Sequence, residues 1–348
     1  MNLYRGCTHN CVYCDGRAEK YNVQGEFGEE VAVKVNAIEI LERELDPRRK
    51  RIPLKKSFYM IGGGVGDSYQ PAEEKYHLTR RVLEMMSERN LPVHMLTKSI
   101  LISRDLDLLK EINQKSRAIV SFSLSSADDE VSAVFEPGVP SPSERLQTIS
   151  RFKREGISCG VYLLPVIPFV TDTTELMTQT VEKAVEAGVD FIVFGGMTLK
   201  QGRQEDTFLR ALRDRYPEHY SKYRNLYVGR KWGEASRGYY QIIENRFNEI
   251  MRNSGVAKRL PLSLFGDIVD ENDRIVVILE QLDYLLRLEG KKSPFGYAAY
   301  ALSQLKGSIS EPQYPLSRLK GVDTATEGLV HEILETGTSL QYEKLLTG

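Results

Sequence analysis

Three cysteines near the amino end of the chain have the residue type and spacing to hold a metal centre. Cys7, Cys11 and Cys14 form a C-x3-C-x2-C pattern within eight residues. Three thiolates from one tight loop can bind three irons of a [4Fe–4S] cube and leave the fourth iron open to an external chelating ligand. A zinc knuckle with His9 as the fourth ligand is the alternative, but zinc motifs favour paired C-x2-C and H-x3-H spacings, which are absent here. The pattern therefore favours an iron–sulfur cluster with an open coordination position.

The composition is that of an ordinary globular protein with a sizeable core. Of the 348 residues, 41% are hydrophobic and 27% are charged. The fourth cysteine, Cys159, stands alone, which does not suit a disulfide framework and favours a place in the core. No run approaches about 18 apolar residues and the amino end lacks signal-peptide architecture, so we expect a cytoplasmic protein without membrane association. A net charge of −1 gives no overall attraction to nucleic acid, so such binding would depend on local patches.

Short apolar runs alternate with longer amphipathic stretches from Val31 to about Ser254, which is typical of βα units around a parallel sheet. Strands are predicted at 57–62, 92–97, 117–123, 157–164 and 189–194. Helices are predicted at 31–45, 72–89, 105–114, 143–155 and 174–187. With a short strand before Cys7 this makes about six units, which predicts a partial (βα)6 TIM-like barrel because a closed barrel needs eight. Chemistry in such barrels lies at the carboxyl ends of the strands.

The chain is predicted to have three parts. A barrel over 1–200 is followed by an extension over 201–266 and a small all-α domain over 267–348. The extension contains the sole tryptophan, Trp232, in a stretch rich in Tyr, Arg and Lys, which we interpret as either an irregular packing segment or a substrate-facing lid. Because Cys7 lies only six residues after Met1, it stays open whether native sequence precedes Met1.

The cysteine motif at the start of a partial barrel resembles the radical S-adenosylmethionine (SAM) superfamily. In that superfamily SAM chelates the open iron through its amino and carboxylate groups, and one electron cleaves the sulfonium to methionine and a 5′-deoxyadenosyl radical. The resemblance thus implies a [4Fe–4S] cluster, SAM and a flavodoxin- or ferredoxin-type electron donor. Tyr13 matches the aromatic position that usually packs near the adenine.

Further segments narrow the resemblance to the spore photoproduct lyase-like branch, often described as DNA repair photolyases. They recur in order over roughly residues 1 to 200, which makes chance similarity a poor explanation. The segments are Asn2 to Cys7, Gly64 to Glu73, Thr97 to Ser99, Phe135 to Pro137, Ser143 to Leu146 and Pro165 to Asp172.

By the same resemblance, residues at or near the strand ends would contact SAM. They are Gly62, Gly63, Gly64, Lys98, Ser121, Ser123, Glu136 and Arg145. The glycines would bring bare backbone to the methionyl amino group, the lysine would pair with the carboxylate, and the serines would reach the ribose or methionyl part. The glutamate and arginine fit polar roles near the cofactor. The alternatives are a tight turn for the glycines, a solvated charge for the lysine and ordinary hydroxyls for the serines.

Two departures from true spore photoproduct lyases bear on the reaction. Those enzymes place a hydrogen-donating cysteine at the end of the second strand, where this chain has the glycine run after Ile61. They also have a tyrosine after the third cluster cysteine, where this chain has Asp15. The resemblance therefore implies either another substrate or another hydrogen donor.

A helix-hairpin-helix pattern lies near the carboxyl end, from Leu319 to Val330, inside a stretch that resembles the N-terminal domain of X-family DNA polymerases. Lys320, Gly321, Val322 and Thr324 would hold a DNA phosphate through backbone N–H groups, without reading sequence. The alternative is a module that packs on the barrel or mediates protein contacts.

Two residues of this module depart from the polymerase pattern. Asp323 replaces the second hairpin glycine, which puts an anion near the expected phosphate. Leu329 replaces the Schiff-base lysine, so lyase chemistry is not expected there.

A basic cluster between the first helix and second strand is a further candidate for DNA contact. Arg48, Arg49, Lys50 and Arg51 are followed by two more lysines, at positions 55 and 56. A solvated loop is the alternative for such a run.

Together these features predict a radical SAM enzyme that acts on DNA, by repair or modification. A radical SAM enzyme acting on RNA, a peptide or a metabolite is one alternative, and a non-enzymatic iron–sulfur DNA-binding protein is another. The oligomeric state is not readable from the sequence.

Overall fold

The computed structural model describes residues 1–23, 25–46, 48, 58–227, 232–305, 307–311 and 315–347. The chain forms two compact units, Met1–Tyr240 and Gln241–Gly348. Their boundary falls inside the predicted 201–266 extension, and the three-part division of the chain stays a prediction.

A five-stranded parallel sheet is the centre of the first unit. Its strands pair in chain order, so each neighbour in sequence is also a neighbour in the sheet. The strands are β3 (Tyr59–Ile61), β4 (Val93–Thr97), β5 (Ala118–Leu124), β6 (Ser158–Val166) and β7 (Phe191–Gly196). A separate antiparallel pair precedes them, formed by β1 (Tyr4–Arg5) and β2 (Ala32–Val33).

Helices alternate with the strands and continue after β7. In the first unit they are α1 (Ala37–Glu44), α2 (Ala72–Tyr76), α3 (Leu78–Glu88), α4 (Leu106–Lys115), α5 (Asp129–Phe135), α6 (Pro142–Arg154), α7 (Thr174–Glu186), α8 (Arg203–Arg215) and α9 (Tyr220–Leu226). The next helix, α10, spans Arg237–Met251. The predicted α/β class and partial barrel are confirmed.

The predicted strand count is wrong in one respect, because the segment before Cys7 does not join the parallel sheet. Tyr4 pairs with Val33 and Arg5 with Ala32 in the antiparallel pair, so the described sheet has five strands rather than six. Met1 lies beside β3, where its amino group donates to the Met60 carbonyl at 2.6 Å. The backbone N–H and C=O groups of Tyr4 and Arg5 form their strand pairing with β2 instead.

The core of this unit is formed by side chains on both faces of the sheet, including those packed against the helices. All seven residues of β5 are buried, as expected for a parallel strand covered on both faces. Phe122 and Phe191 are fully buried, and burial of each such side chain stabilises the fold by roughly 1.5–3 kcal/mol.

The single helix predicted over 72–89 is two helices, because the backbone turns at His77. His77 has a left-handed φ of 50°, which ends α2 and begins α3. The buried Glu73 carboxylate accepts from the backbone N–H groups of Thr79 and Arg80, at 2.9 and 3.3 Å. This side chain therefore satisfies donors that the break leaves open.

The second unit is helical, as predicted for the carboxyl end. Its helices after α10 are α11 (Glu271–Leu288), α12 (Phe295–Ser303), α13 (Thr324–Thr336) and α14 (Leu340–Thr347). One face of α11 is apolar and buried, and it contains Ile275, Leu279, Leu282 and Leu286. None of the helices in the described ranges has the length and apolar character needed to span a bilayer.

Candidate active site

A cavity of about 290 Å³ lies at the carboxyl ends of the parallel strands and is lined by all three cysteines of the motif. Its wall combines the loop after β1 with the segments that follow β3, β4 and β7. The predicted site residues in the wall are Cys7, Cys11, Tyr13, Cys14, Gly63, Gly64, Lys98 and Ser123. The barrel thus brings together side chains that are far apart in sequence.

The loop that carries the cysteines is fastened to the segment after α5. Val12 donates its backbone N–H to the Phe135 carbonyl at 2.9 Å, and Gly138 donates to the His9 carbonyl at 3.0 Å. The His9 Nδ1 atom lies 2.9 Å from the Gly138 carbonyl oxygen. The Nδ1 side of the His9 ring is therefore held against backbone.

A buried glutamine holds the same loop from the opposite side. The Gln70 side chain donates to the Gly6 carbonyl at 3.0 Å and accepts from the Thr8 backbone N–H at 3.1 Å. These two groups flank Cys7 in sequence. Gln70 therefore fixes the backbone on both sides of the first cysteine.

Arg17 fixes the backbone around the second cysteine. This buried side chain donates to the Cys11 carbonyl at 3.0 Å and to the Asn10 carbonyl at 3.1 Å, and its guanidinium lies 4.9 Å from the centre of the Phe27 ring. Burial lowers the pKa of Arg17 from its ordinary value. A largely buried cation so close to the thiols favours negative charge on the sulfur ligands.

The chemistry of the three thiols fits a cluster. Burial raises the pKa of Cys7 to about 12 and also raises the pKa of the Cys11 and Cys14 thiols. Bare thiolates would be costly in this position, whereas iron bonded to sulfur stabilises the deprotonated form. Among the described residues, no group of three or more His, Cys, Asp or Glu side chains is arranged to hold a single metal ion. Cys7, Cys11 and Cys14 line one cavity, which is the arrangement expected for ligands of a [4Fe–4S] cluster.

Lys98, which follows β4, projects toward the cavity and is held by two acceptors. Its ammonium donates to the Ser123 hydroxyl at 2.8 Å and to Glu136 Oε1 at 3.0 Å. It also lies 5.6 Å from the centre of the Tyr13 ring. The lysine is therefore a positioned cation rather than a solvated surface charge.

Glu136 and Arg145 lie behind the cavity wall and support it. Arg145 donates to Glu136 Oε2 at 2.6 Å and to the Ser123 carbonyl at 2.7 Å, while the Tyr13 hydroxyl donates to Glu136 Oε1. Burial opposes ionisation of Glu136, but the charges of Arg145 and Lys98 outweigh it and hold the pKa of this carboxyl well below its usual range. The pair carries a buried charge that keeps Tyr13 and Lys98 in place.

Two predicted residues are placed differently from the rest. Gly62 has a φ of 109°, and a Cβ there would overlap the carbonyl oxygen of Leu96, so this glycine is required by packing against β4. Ser121 is fully buried below the cavity, where its hydroxyl lies 2.8 Å from His94 Nε2. Neither residue lies in the cavity wall.

Asp67 is a site residue that the sequence reasoning missed. Its carboxylate accepts from the Thr97 hydroxyl at 2.6 Å and from the Lys98 backbone N–H at 2.8 Å. Asp67 also lines the cavity. The signal available in the sequence was its place in the glycine-rich segment after β3.

A second missed group lies where Cys14 meets the end of β7. Asp15 accepts from the Thr198 hydroxyl at 3.0 Å and from the ammonium of Lys200. Asp15 and Thr198 both line the cavity. Thr198 lies shortly after the end of β7, and such a position can be predicted from the sequence. Its contact with Asp15 in the cluster loop cannot be predicted in this way.

Cys159 lies away from the cavity. It is fully buried in β6, and its sulfur lies 3.6 Å from the Ile157 carbonyl oxygen. Burial raises the pKa of this thiol well above its ordinary value.

Of the residues predicted to contact DNA, those that the structure describes do not line the cavity. Arg48 is exposed and pairs with Asp46 at 3.0 Å, while Arg49, Lys50 and Arg51 lie outside the described residues. In the hairpin, Lys320 and Thr324 are exposed and Val322 is buried.

The predicted hairpin turn directly precedes α13, and Asp323 is the residue that caps this helix. Gly321 has a left-handed φ of 96°. Asp323 accepts from the Thr326 backbone N–H at 2.7 Å and thereby caps α13. A carboxylate therefore occupies one of the N–H groups that a phosphate would use.

Residues 1–179 match the family model described as the radical SAM superfamily. The chain belongs to this superfamily, and its cofactors are a [4Fe–4S] cluster and S-adenosylmethionine. The membership supports an enzymatic function.

Curated relatives share about two thirds of the chain. An uncharacterized protein of Mycobacterium tuberculosis is 32% identical over 231 residues, which are 65% of this chain and 66% of that protein. An uncharacterized protein of Methanocaldococcus jannaschii is 29% identical, over 63% of this chain and 77% of its own length. The radical SAM Nalpha-GlyT isomerase of Pseudomonas phage M6 is 28% identical over 36% of this chain and 26% of its own. The match thus spans slightly less than two thirds of the mycobacterial relative.

Solved structures show the same fold. A spore photoproduct lyase mutant with dinucleoside spore photoproduct superposes with a TM-score of 0.54 at 17% identity, covering 72% of each chain. Another mutant of that lyase, with bound AdoMet and the same dinucleoside, gives a TM-score of 0.52 at 16% identity and the same coverage.

Proposed function

We propose that this protein is a radical SAM enzyme that acts on DNA by abstracting a hydrogen atom. The observation that carries the proposal is a single cavity whose wall holds the three cysteines together with Lys98 and the exposed backbone of Gly63 and Gly64. When bound, the cluster and SAM supply a 5′-deoxyadenosyl radical through one-electron cleavage of the sulfonium.

The chain's own residues would bind and orient SAM. Lys98 presents a cation that can pair with the carboxylate, and Ser123 and Glu136 fix the position of that cation. Gly63 and Gly64 offer backbone without side chains to the methionyl end, and Tyr13, held by Glu136, offers a ring face to the adenine. Pre-positioned groups of this kind reduce the ordering cost of binding.

DNA as the substrate is supported by the relatives. The lyase structures with the same fold contain a dinucleoside spore photoproduct. Lys320 is exposed in the predicted hairpin of the carboxyl-terminal unit, and we propose that the backbone of this turn contacts a phosphate without reading sequence. A flavodoxin- or ferredoxin-type protein is the proposed electron donor.

The proposed reaction differs from that of the lyase in its final hydrogen donor. The segment after β3 presents Gly63 and Gly64 to the cavity. By the resemblance, this is the segment in which the lyases have their donor cysteine. In the described cavity wall, the three thiols are those of the cluster motif, and Cys159 lies outside it. We therefore propose that the hydrogen returns from another group.

One observation favours a substrate other than DNA. From Asp270 to Gly348 the chain has 8 Lys or Arg against 12 Asp or Glu, which is unfavourable for a strong electrostatic grip on phosphates. A radical reaction on RNA, a peptide or a metabolite is the second candidate.

Anaerobic reconstitution tests the proposal. The holoenzyme is incubated with SAM, reductant and deuterated DNA, and 5′-deoxyadenosine is analysed by mass spectrometry. We expect DNA to raise the yield of deoxyadenosine and deuterium to enter it. A Cys7→Ala/Cys11→Ala/Cys14→Ala variant is the control and should produce none. Active SAM cleavage without deuterium transfer from any DNA would favour the second candidate.

A further inference from the structure

A cation and two aromatic rings lie beside the cavity, and we call this group the aromatic rim: Lys20, Tyr21 and Trp232. The Lys20 ammonium lies 4.7 Å from the centre of the Tyr21 ring and 5.4 Å from that of the Trp232 ring. Trp232 is 54% exposed, although it is the sole tryptophan of the chain and has a large apolar surface. The indole therefore presents a large apolar surface to solvent beside a cation.

Hydrogen bonds connect the aromatic rim to the cavity wall. The Tyr21 hydroxyl donates to Asp15, and Asp15 also accepts from Thr198, so Tyr21 is one side chain away from two lining residues. On the other side, Leu199, which follows Thr198, donates its N–H to the Gly233 carbonyl at 2.7 Å. The Tyr21 side chain and the backbone next to Trp232 are therefore both connected to the part of the wall formed by Asp15 and Thr198.

The residues of the aromatic rim could bind a ligand that combines a flat ring with an anionic group. An exposed indole offers a face on which a nucleobase can stack, whatever its identity, because every base has a π-face. Lys20 supplies positive charge next to that face, where the phosphate of the same nucleotide would lie. An aromatic side chain of a peptide could stack on the indole but would bring no anion to Lys20.

We propose that the aromatic rim is a stacking site for a nucleobase of the DNA substrate, next to the nucleotide that enters the cavity. The inference rests on the proposed function and adds a substrate requirement to it. The base must be unpaired or unstacked to reach Trp232, so the favoured substrate is single-stranded or locally opened DNA.

The fluorescence of Trp232 gives a direct test, because all tryptophan emission of this chain comes from that residue. The SAM-bound holoenzyme is titrated with the thymidine dinucleotide TpT and, separately, with a dinucleotide backbone that lacks bases. We expect saturable quenching by TpT and at least roughly tenfold weaker binding of the abasic compound. Equal quenching by both compounds, or quenching by the tripeptide Gly-Phe-Gly but not by TpT, would overturn the inference.

Variants separate stacking from a structural role. Trp232→Ala should weaken TpT binding by roughly tenfold in equilibrium dialysis, and Trp232→Phe should recover most of the loss because it keeps a ring face. The matched control is Tyr76→Ala, since Tyr76 is also exposed and has a lysine, Lys75, at 5.3 Å from its ring, yet lies outside the cavity wall. All variants should retain the iron content and SAM affinity of the wild type.

The outcomes distinguish the two proposals. DNA-dependent deoxyadenosine formation that is identical in Trp232→Ala and wild type, at limiting DNA, would overturn the stacking site and leave the proposed function intact. Absence of both DNA-dependent turnover and TpT binding in the wild type would overturn both.

Discussion

At the scale of single residues, the site depends on a buried charge pair that positions two cavity groups. Glu136 binds Arg145 on one oxygen and receives Lys98 and Tyr13 on the other. A buried carboxylate is stable only when cations and donors satisfy it, as they do here. The same pair thus supports both the proposed carboxylate contact and the proposed adenine contact.

Removal of the Lys98 ammonium should weaken SAM binding without loss of the cluster. Lys98→Met keeps the aliphatic part, and Arg145 still neutralises Glu136, so the fold should survive. A charge-assisted hydrogen bond contributes about 1.5–3 kcal/mol, so we expect the SAM Kd to rise roughly tenfold or more. Equilibrium dialysis of the iron-loaded protein measures the change. Ser121→Ala, below the cavity, is the control and should leave the Kd unchanged; an unchanged Kd in Lys98→Met would contradict the assigned contact.

At the scale of secondary structure, the close packing of β6 against β7 requires a glycine at one position. Gly160 on β6 pairs with Phe191 on β7, and a Cβ at Gly160 would overlap the Phe191 ring. That ring is fully buried in the core. The register of the last two strands therefore depends on a glycine.

Gly160→Ala should destabilise the barrel. Overpacking of a filled core costs about 1–3 kcal/mol, so we expect a lower Tm in thermal unfolding followed by circular dichroism. Gly238→Ala in α10 is the matched control, because a Cβ there meets no heavy atom within 4 Å. That variant should be as stable as the wild type or slightly more stable. A Gly160→Ala protein with wild-type stability would show that the two strands can separate at no cost.

The buried imidazole of His94 on β4 should make the barrel sensitive to acid. Burial lowers its pKa to about 4, below the usual value of about 6.5 for the unfolded chain. The unfolded state therefore binds the extra proton first, so stability is complete above about pH 6.5 and falls as the pH decreases toward 4.

Chemical unfolding at pH 7.5 and 5.5 measures this contribution. We expect His94 to account for a loss of roughly 1 kcal/mol over that interval. His94→Gln can keep a hydrogen bond to Ser121 but does not titrate, so its stability should change less between the two pH values. Equal losses in both proteins would refute the assignment.

The sequence indicated which residues are candidates for the site, but it did not indicate how far each of them lies from the cavity. The cysteine spacing and the position of Lys98 after a strand were readable, because both follow local rules. Ser121 and Ser123 alternate onto the same face of β5, yet only Ser123 reaches the cavity, and the layer a residue occupies depends on packing with other strands. The Asp15 and Lys200 contact joins segments about 185 residues apart, which no local pattern reports.

At the scale of the whole molecule, the net charge limits how the proposed DNA substrate could be bound. A net charge of −1 provides no general attraction, so affinity must come from a few local contacts. Lys320 in the hairpin is exposed and next to the turn at Gly321.

Lys320→Ala should reduce the salt dependence of DNA binding. Each phosphate contact contributes about 0.9 to the slope of log K against log salt, so the slope should fall by about one in fluorescence anisotropy between 50 and 200 mM salt. Lys344→Ala, an exposed lysine on α14, is the matched control and should retain the wild-type slope. Identical slopes for all three proteins would exclude the hairpin lysine as a phosphate ligand.

The anchoring of the cysteine loop also sets an order of events during synthesis. Val12 and His9 are fastened to Phe135 and Gly138, and Asp15 to Thr198, all of which leave the ribosome long after the cysteines. At about 5–20 residues per second, the delay to Thr198 is on the order of 10–40 seconds. The set of contacts that holds the cysteine loop is thus complete only after the last barrel strand has emerged, so iron insertion should follow completion of the barrel.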